Sequence, residues 1–276
     1  MKPSRLIRWG VALLGAFSLV LVPPYLHSQR TRQLAADLSL AGGRAQIGTP
    51  LGKRLWMQWS GAGNGYGTVV ELTGSAFDRQ WLESRDDLAD IPIAILIVKD
   101  TLLDGSDLAR LVQNHPLETL EAPHVVACDE VAVALAQKSE LRMVRLRGSD
   151  LTDDGLQRLP LEQLMCLDVS QTAVTAEGLK DLRRCAKLEI LALDGRQFTA
   201  DSINRMEAFR RPYTLRLVGT EITDDHLRML FSCRMLRTLF LEQTSVSEAV
   251  LAELSSAVPA CDVHLGPSGK NAGNAP

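Results

Sequence analysis

Two acidic pairs, Asp153-Asp154 and Asp224-Asp225, are the residues of this 276-residue sequence that first suggest chemistry. Adjacent carboxylates can share a proton in acid–base work or ligate a hard cation. Both pairs fall at the same point of a recurring pattern, which favours a structural task at the start of a helix, where negative charge suits the helix dipole. The histidines (His27, His115, His124, His226 and His264) form no HExxH motif and no Cys/His nucleophile arrangement. His226 falls where other copies of the pattern carry Gly155 and Gly178, and is expected as an exposed helix residue. The cysteines (Cys128, Cys166, Cys185, Cys233 and Cys261) are odd in number and show no metal spacing, so they read as buried apolar thiols. The glycine-rich GAGNGYG run, 61–67, runs into a strand-like TVVEL rather than a helix. A phosphate-binding turn needs the helix, so this run reads as a loop. No catalytic residue, cofactor site, metal site or small-molecule substrate is therefore expected, and the chain reads as a non-enzyme.

The elements that position these residues are read from composition and periodicity. Lys and Arg number 30 against 33 Asp and Glu, for a formal net charge of −3, which argues against a nucleic-acid partner held by bulk charge. The sequence holds 45 leucines but only 5% aromatic residues, as expected of many copies of one small unit rather than one irregular core.

At the N-terminus, a basic flank (1–8) with Lys2, Arg5 and Arg8 precedes an uncharged segment from Trp9 to Leu26. Eighteen helical residues span about 27 Å, close to a bilayer core of about 30 Å. The segment reads as an uncleaved transmembrane anchor or, alternatively, a signal segment, although Pro23 and Pro24 end a helix early. Basic residues clustered before it place the N-terminus in the cytoplasm and the remainder outside, secreted or periplasmic if the segment is cleaved. A juxtamembrane helix and linker (27–66) follow, with the helix over Gln29 to Leu40 stopping at Ala41-Gly42-Gly43.

From residue 67 to 266 the sequence repeats. Thr152, Thr175, Thr199, Thr223 and Ser247 are 23, 24, 24 and 24 residues apart. Counted from each, the positions eight, six and one before, and four and seven after, are all apolar. Weaker copies are centred on Cys128, Asp104 and Asp78, for about eight units, and Val263 and Leu265 mark a last strand. Alternation before each anchor is strand spacing, while the anchor hydroxyl or carboxylate caps a short helix after it. One such unit cannot bury its own apolar face, but stacked units bury a continuous core. The ten residues 267–276 read as a disordered tail.

The segments Leu141-x-x-Val144-x-Leu146-x-x-Ser149 and Leu236-x-x-Leu239-x-Leu241-x-x-Thr244, with LTDDGLQRL and ITDDHLRML, resemble leucine-rich repeats of the ribonuclease-inhibitor-like or cysteine-containing branch. Cys185 and Cys233, ten residues after their anchors, fall where that branch carries cysteine. The short N-terminal anchor, the QLAADLSLAGG helix and the closing Val258-Pro259-Ala260-Cys261 resemble bacterial membrane-anchored members. The resemblance implies an α/β, right-handed leucine-rich repeat solenoid of about eight strand-turn-helix units behind an N-terminal transmembrane or signal helix. It also implies that Ser149, Thr172, Arg196, Thr220 and Thr244 stand where the family carries an asparagine ladder.

Function is then expected on a surface. Positions seven and five before each anchor point to the concave side of such a sheet. They hold the candidate partner-binding residues Arg145, Arg147, Asp168, Asp194, Arg216, Phe240 and Glu242, an array of mixed sign with one aromatic. Aromatic and arginine side chains are enriched at binding hot spots. The expected role is a protein-protein interaction module displayed at a membrane, holding an unidentified protein partner. The alternative is a spacer of the cell envelope with no specific ligand.

Overall fold

The computed structural model describes residues 32–47, 68–200, 202, 213–219 and 221–266. Ten strands form one sheet in chain order: β1 (Arg44–Ile47), β2 (Thr68–Thr73), β3 (Ile93–Lys99), β4 (Thr119–Glu121), β5 (Met143–Arg145), β6 (Cys166–Asp168), β7 (Ile190–Asp194), β8 (Tyr213–Val218), β9 (Leu236–Glu242) and β10 (Asp262–Leu265). From β2 to β10 every neighbour is parallel. Helical segments alternate with these strands, among them Gly105–Gln113, Cys128–Leu135, Asp153–Arg158, Asp224–Met229 and Glu248–Ala257. This α/β arrangement fits a repeat solenoid.

The 24-residue period becomes register. Val70, Leu96, Leu120, Val144, Leu167, Leu191, Leu215, Leu239 and Val263 pair one with the next across nine strands. All but Val263 are buried to 1% or less. A parallel strand needs a connection long enough to return to its starting edge, and the strand-turn-helix unit supplies it. Helix and sheet then enclose one continuous apolar core from Leu34 to Cys261, which includes Cys128, Cys185, Cys233 and Cys261. All five cysteines are buried, free thiols.

Each strand leaves the sheet through one tight turn. The residue four before the anchor is left-handed at Gly74 (φ +102°), Asp100 (+55°), His124 (+61°), Gly148 (+71°), Gln171 (+60°), Gly219 (+116°) and Gln243 (+56°). That region is open to glycine and costly for other residues, so its recurrence marks a turn enforced by the stack. Gly195 occupies the same slot without a positive φ, and there the ladder changes hands. Thr172 donates its hydroxyl to the Val169 carbonyl (2.6 Å) and accepts from the Val174 amide (3.3 Å). Ser149 accepts from the Leu151 amide (3.4 Å). In the next unit Arg196, expected in this role, turns outward. The fully buried Gln197 takes it, with its amide nitrogen donating to the carbonyls of Val169 (2.7 Å) and Val174 (3.2 Å).

The acidic residues after the anchors work between units. Asp129 accepts from the amide (2.9 Å) and hydroxyl (2.5 Å) of Thr152, the helix cap of the next unit. Asp153 does the same for Thr175 (2.7 Å each) and Asp224 for Ser247 (2.7 and 2.6 Å). These bonds hold the Asp224 carboxyl below its ordinary pKa. The first carboxylate of each pair is therefore a clamp from one unit to the next, while Asp225 pairs with Arg228 of its own helix (3.0 Å). His226 is half-buried, and its Nδ1 accepts from the Thr223 amide (3.1 Å) as part of a helix cap.

The two ends differ. At the first, a helix over residues 32–40 buries Leu34 and Leu38, and β1 pairs antiparallel with β2. The helix agrees with expectation, whereas β1 was expected as linker. At the second, β10 is the last strand. The expected N-terminal transmembrane or signal helix is corrected: no helix among the described residues is long and apolar enough to cross a membrane. Residues 9–26 lie outside the described residues. In the sequence Pro23 and Pro24 leave 14 residues from Trp9 to Val22, short of the roughly 20 that a span requires. Residues 61–67, Ile203, Met206, Thr220 and the tail 267–276 also lie outside them.

Candidate partner-binding face

The strand positions that alternate with the core columns form the opposite face of the sheet. One column runs Glu71, Ile97, Glu121, Arg145, Asp168, Ala192, Arg216, Phe240 and His264, each paired with the next. The face is concave, as one ion pair demonstrates. Arg147 and Glu242 are 3.3 Å apart although they follow β5 and end β9, four strand steps away. Four steps amount to about 19 Å, farther than the two side chains extend on a flat sheet. The pair therefore crosses above the ends of β6, β7 and β8.

The same face holds a hollow of about 220 Å³, lined by Arg145, Cys166, Asp168, Ala192, Arg216 and Phe240 among others. At one wall Arg216 lies over the Phe240 ring, 5.6 Å from its centroid. The other face of Phe240 stacks on His264, with centroids 4.8 Å apart and planes 18° apart. Arg216 also bridges to Glu242 (3.2 Å), so Glu242 holds Arg147 and Arg216 together. At the opposite wall Glu121 pairs with Lys99 (2.6 Å) and Arg145 (3.3 Å).

Five of the seven expected residues, Arg145, Arg147, Arg216, Phe240 and Glu242, are part-exposed; Arg145, Arg216 and Phe240 line this hollow, and Glu242 ties Arg147 to Arg216 beside it. The other two are buried. Asp194 is fully buried and accepts from the amides of Gln171 (2.8 Å), Arg196 (2.9 Å) and Gln197 (3.2 Å), and from the Arg196 guanidinium (3.0 Å). Its short side chain folds back on the turn amides and is not presented to a partner. Asp168 is 6% exposed and accepts from the amide (3.1 Å) and hydroxyl (2.6 Å) of Ser170. Burial pushes its carboxyl pKa up against those bonds and the nearby arginines. It forms floor rather than rim.

Sequence reasoning missed His264 and Cys166. His264 was findable, because it lies 24 residues after Phe240 in the same column. Cys166 sits nine residues before its anchor, one strand alternation beyond the two columns considered. Burial raises its thiol pKa, while the Arg145 guanidinium beside it pulls the other way. Cys128 and Cys185 are pushed up to about 12 by burial. Protonated thiols are poor nucleophiles. Among the described residues no group of three or more His, Cys, Asp or Glu could hold a metal ion. What the arrangement can do is bind: two arginines at a hollow suit a carboxylate, and a stacked aromatic offers area that a partner can cover. No family model and no curated protein matches this chain.

Proposed function

We propose that this chain is a non-enzymatic recognition module of the leucine-rich-repeat kind that holds a protein partner on its concave face. The observation that carries the reading is the hollow walled by the Arg216–Phe240–His264 stack. Arginine and aromatic side chains at the centre of a recessed patch are where binding energy concentrates. Arg145, on the opposite wall, adds a second guanidinium for an acidic group of the partner.

The test compares capture of binding proteins by the immobilised parent chain, Phe240→Ala and Glu71→Ala. Glu71 occupies the same column on β2, far from the hollow. Phe240→Ala is expected to weaken capture by at least ~2 kcal/mol, the usual hot-spot threshold, with unchanged circular dichroism. Glu71→Ala is expected to behave as the parent. Equal capture by all three would leave the alternative, a structural spacer without a specific ligand.

A further inference from the structure

The column six residues before each anchor is sealed throughout the array and then opens. Leu146, Val169, Leu193 and Leu217 have no exposed surface and Leu241 has 1%, whereas Leu265, the next member, is 63% exposed. The adjoining column behaves alike, since Val263 is half-buried where its eight predecessors are sealed. The other end of the sheet carries β1 and the 32–40 helix, which has no counterpart beyond β10 among the described residues. The ten residues that follow Gly266 have no apolar side chain larger than alanine or proline, so they cannot supply the missing member of a leucine column.

The backbone of β10 is as incomplete as its side chains. The Gly266 amide donates to the Leu241 carbonyl (2.7 Å), so Gly266 and, by alternation, His264 direct their peptide groups toward β9. Val263 and Leu265 then direct theirs outward, along the open edge. The two residues less covered than the rest of their columns are thus the two whose amides face the edge left open among the described residues, and such an edge is a template for another strand.

We propose that two copies of this chain pair through β10, antiparallel across a two-fold axis centred on His264. In that register Val263 of each copy lies opposite Leu265 of the other, and the two residues exchange amide and carbonyl hydrogen bonds. Their side chains close both core columns with residues of matching type. A two-fold contact uses one surface twice and stops at two copies, in keeping with a sheet that, among the described residues, is covered at one end and open at the other. The sheet continues through the axis, bringing the two concave faces into one surface.

Sedimentation of the full chain from about 1 µM to about 100 µM, the range of weak association, should show one copy becoming two. Leu265→Lys should weaken this at least tenfold, while Leu102→Lys, on another exposed leucine far from β10, should leave it unchanged. These matched variants separate β10 pairing from any association through the apolar N-terminal stretch. Amide exchange at residues 262–265 of the parent should slow as concentration rises. His264→Cys should cross-link two copies under mild oxidant, because the axis places the two positions opposite each other. The proposal is overturned if the parent stays a monomer, if Leu265→Lys associates as the parent does, or if assemblies grow beyond two. It is also overturned by protection of 262–265 that ignores concentration, which would mean coverage from within one chain, or by a dimer that His264→Cys fails to cross-link.

Discussion

Asp194 and Glu242 occupy the same column of the sheet, two units apart, and differ by one methylene. After β7 the turn lacks the left-handed residue found in the other described units, and Asp194 gathers the amides of Arg196 and Gln197 in that turn and of Gln171 in the preceding one. After β9 the left-handed residue Gln243 makes the turn itself, and the longer Glu242 is released to reach Arg216 and Arg147 across the concave face. A repeat position therefore dictates where a side chain starts, while the turn beside it decides whether that side chain serves the fold or the surface.

The largest expected effect is at Asp194. Asp194→Ala strands three turn amides and a guanidinium, and should lower unfolding free energy by about 3 kcal/mol in a denaturant titration. A loss like that of an ordinary surface residue, under about 0.5 kcal/mol, would break the comparison. Gln197→Ala comes next, at about 2 kcal/mol, since it takes the side-chain donor from the Val174 carbonyl and one of two from the Val169 carbonyl, which keeps the Thr172 hydroxyl. Arg196→Ala, in the slot where the repeat pattern expects the ladder, should cost less than Gln197→Ala by the same measurement. Glu242→Ala should cost under about 1 kcal/mol, and less still at high salt, because its partners are part-exposed arginines. Equal losses for Asp194→Ala and Glu242→Ala would mean that the two turns are equivalent after all.

Asp168 is the intermediate case, buried but with fewer bonds than Asp194. Its pKa is raised in the folded protein, so the folded state binds its proton more tightly than the unfolded one. Its contribution to stability is therefore full below the unfolded aspartate value of about 4 and is lost as pH rises through the raised value. Asp168→Asn should flatten that part of the stability-against-pH curve. An unchanged slope would place the shift elsewhere.

The columns of the core were legible in the sequence because each is written many times over. Val144, Leu167, Leu191, Leu215 and Leu239 are 23 or 24 residues apart, and the stacked strands bury them all. The outward columns were legible as positions but not as roles. Alternation along a strand says that the Asp194 side chain leaves the sheet on the concave side. It does not say that Gln171, one unit earlier, turns its amide up to meet it. The curvature that joins Arg147 to Glu242 was hidden for a similar reason, since it accumulates over four strand steps and belongs to no single unit. Between units 152 and 175, the acidic pair was placed correctly at a helix start, while its bond to the following cap depends on stacking distance.

Those aspartate clamps have a consequence for how the molecule comes apart and how it could grow. Asp129, Asp153 and Asp224 each grip the cap of the unit that follows, so a link is made by one residue of the giver and one hydroxyl of the receiver. All three givers carry the aspartate directly after the anchor, and the receivers carry threonine or serine at theirs. A whole unit cut between two clamps could be duplicated or removed, and the flanking units would still present matching halves. Half a unit could not. The length of this array is thus a quantity that changes by whole modules, like links added to a chain.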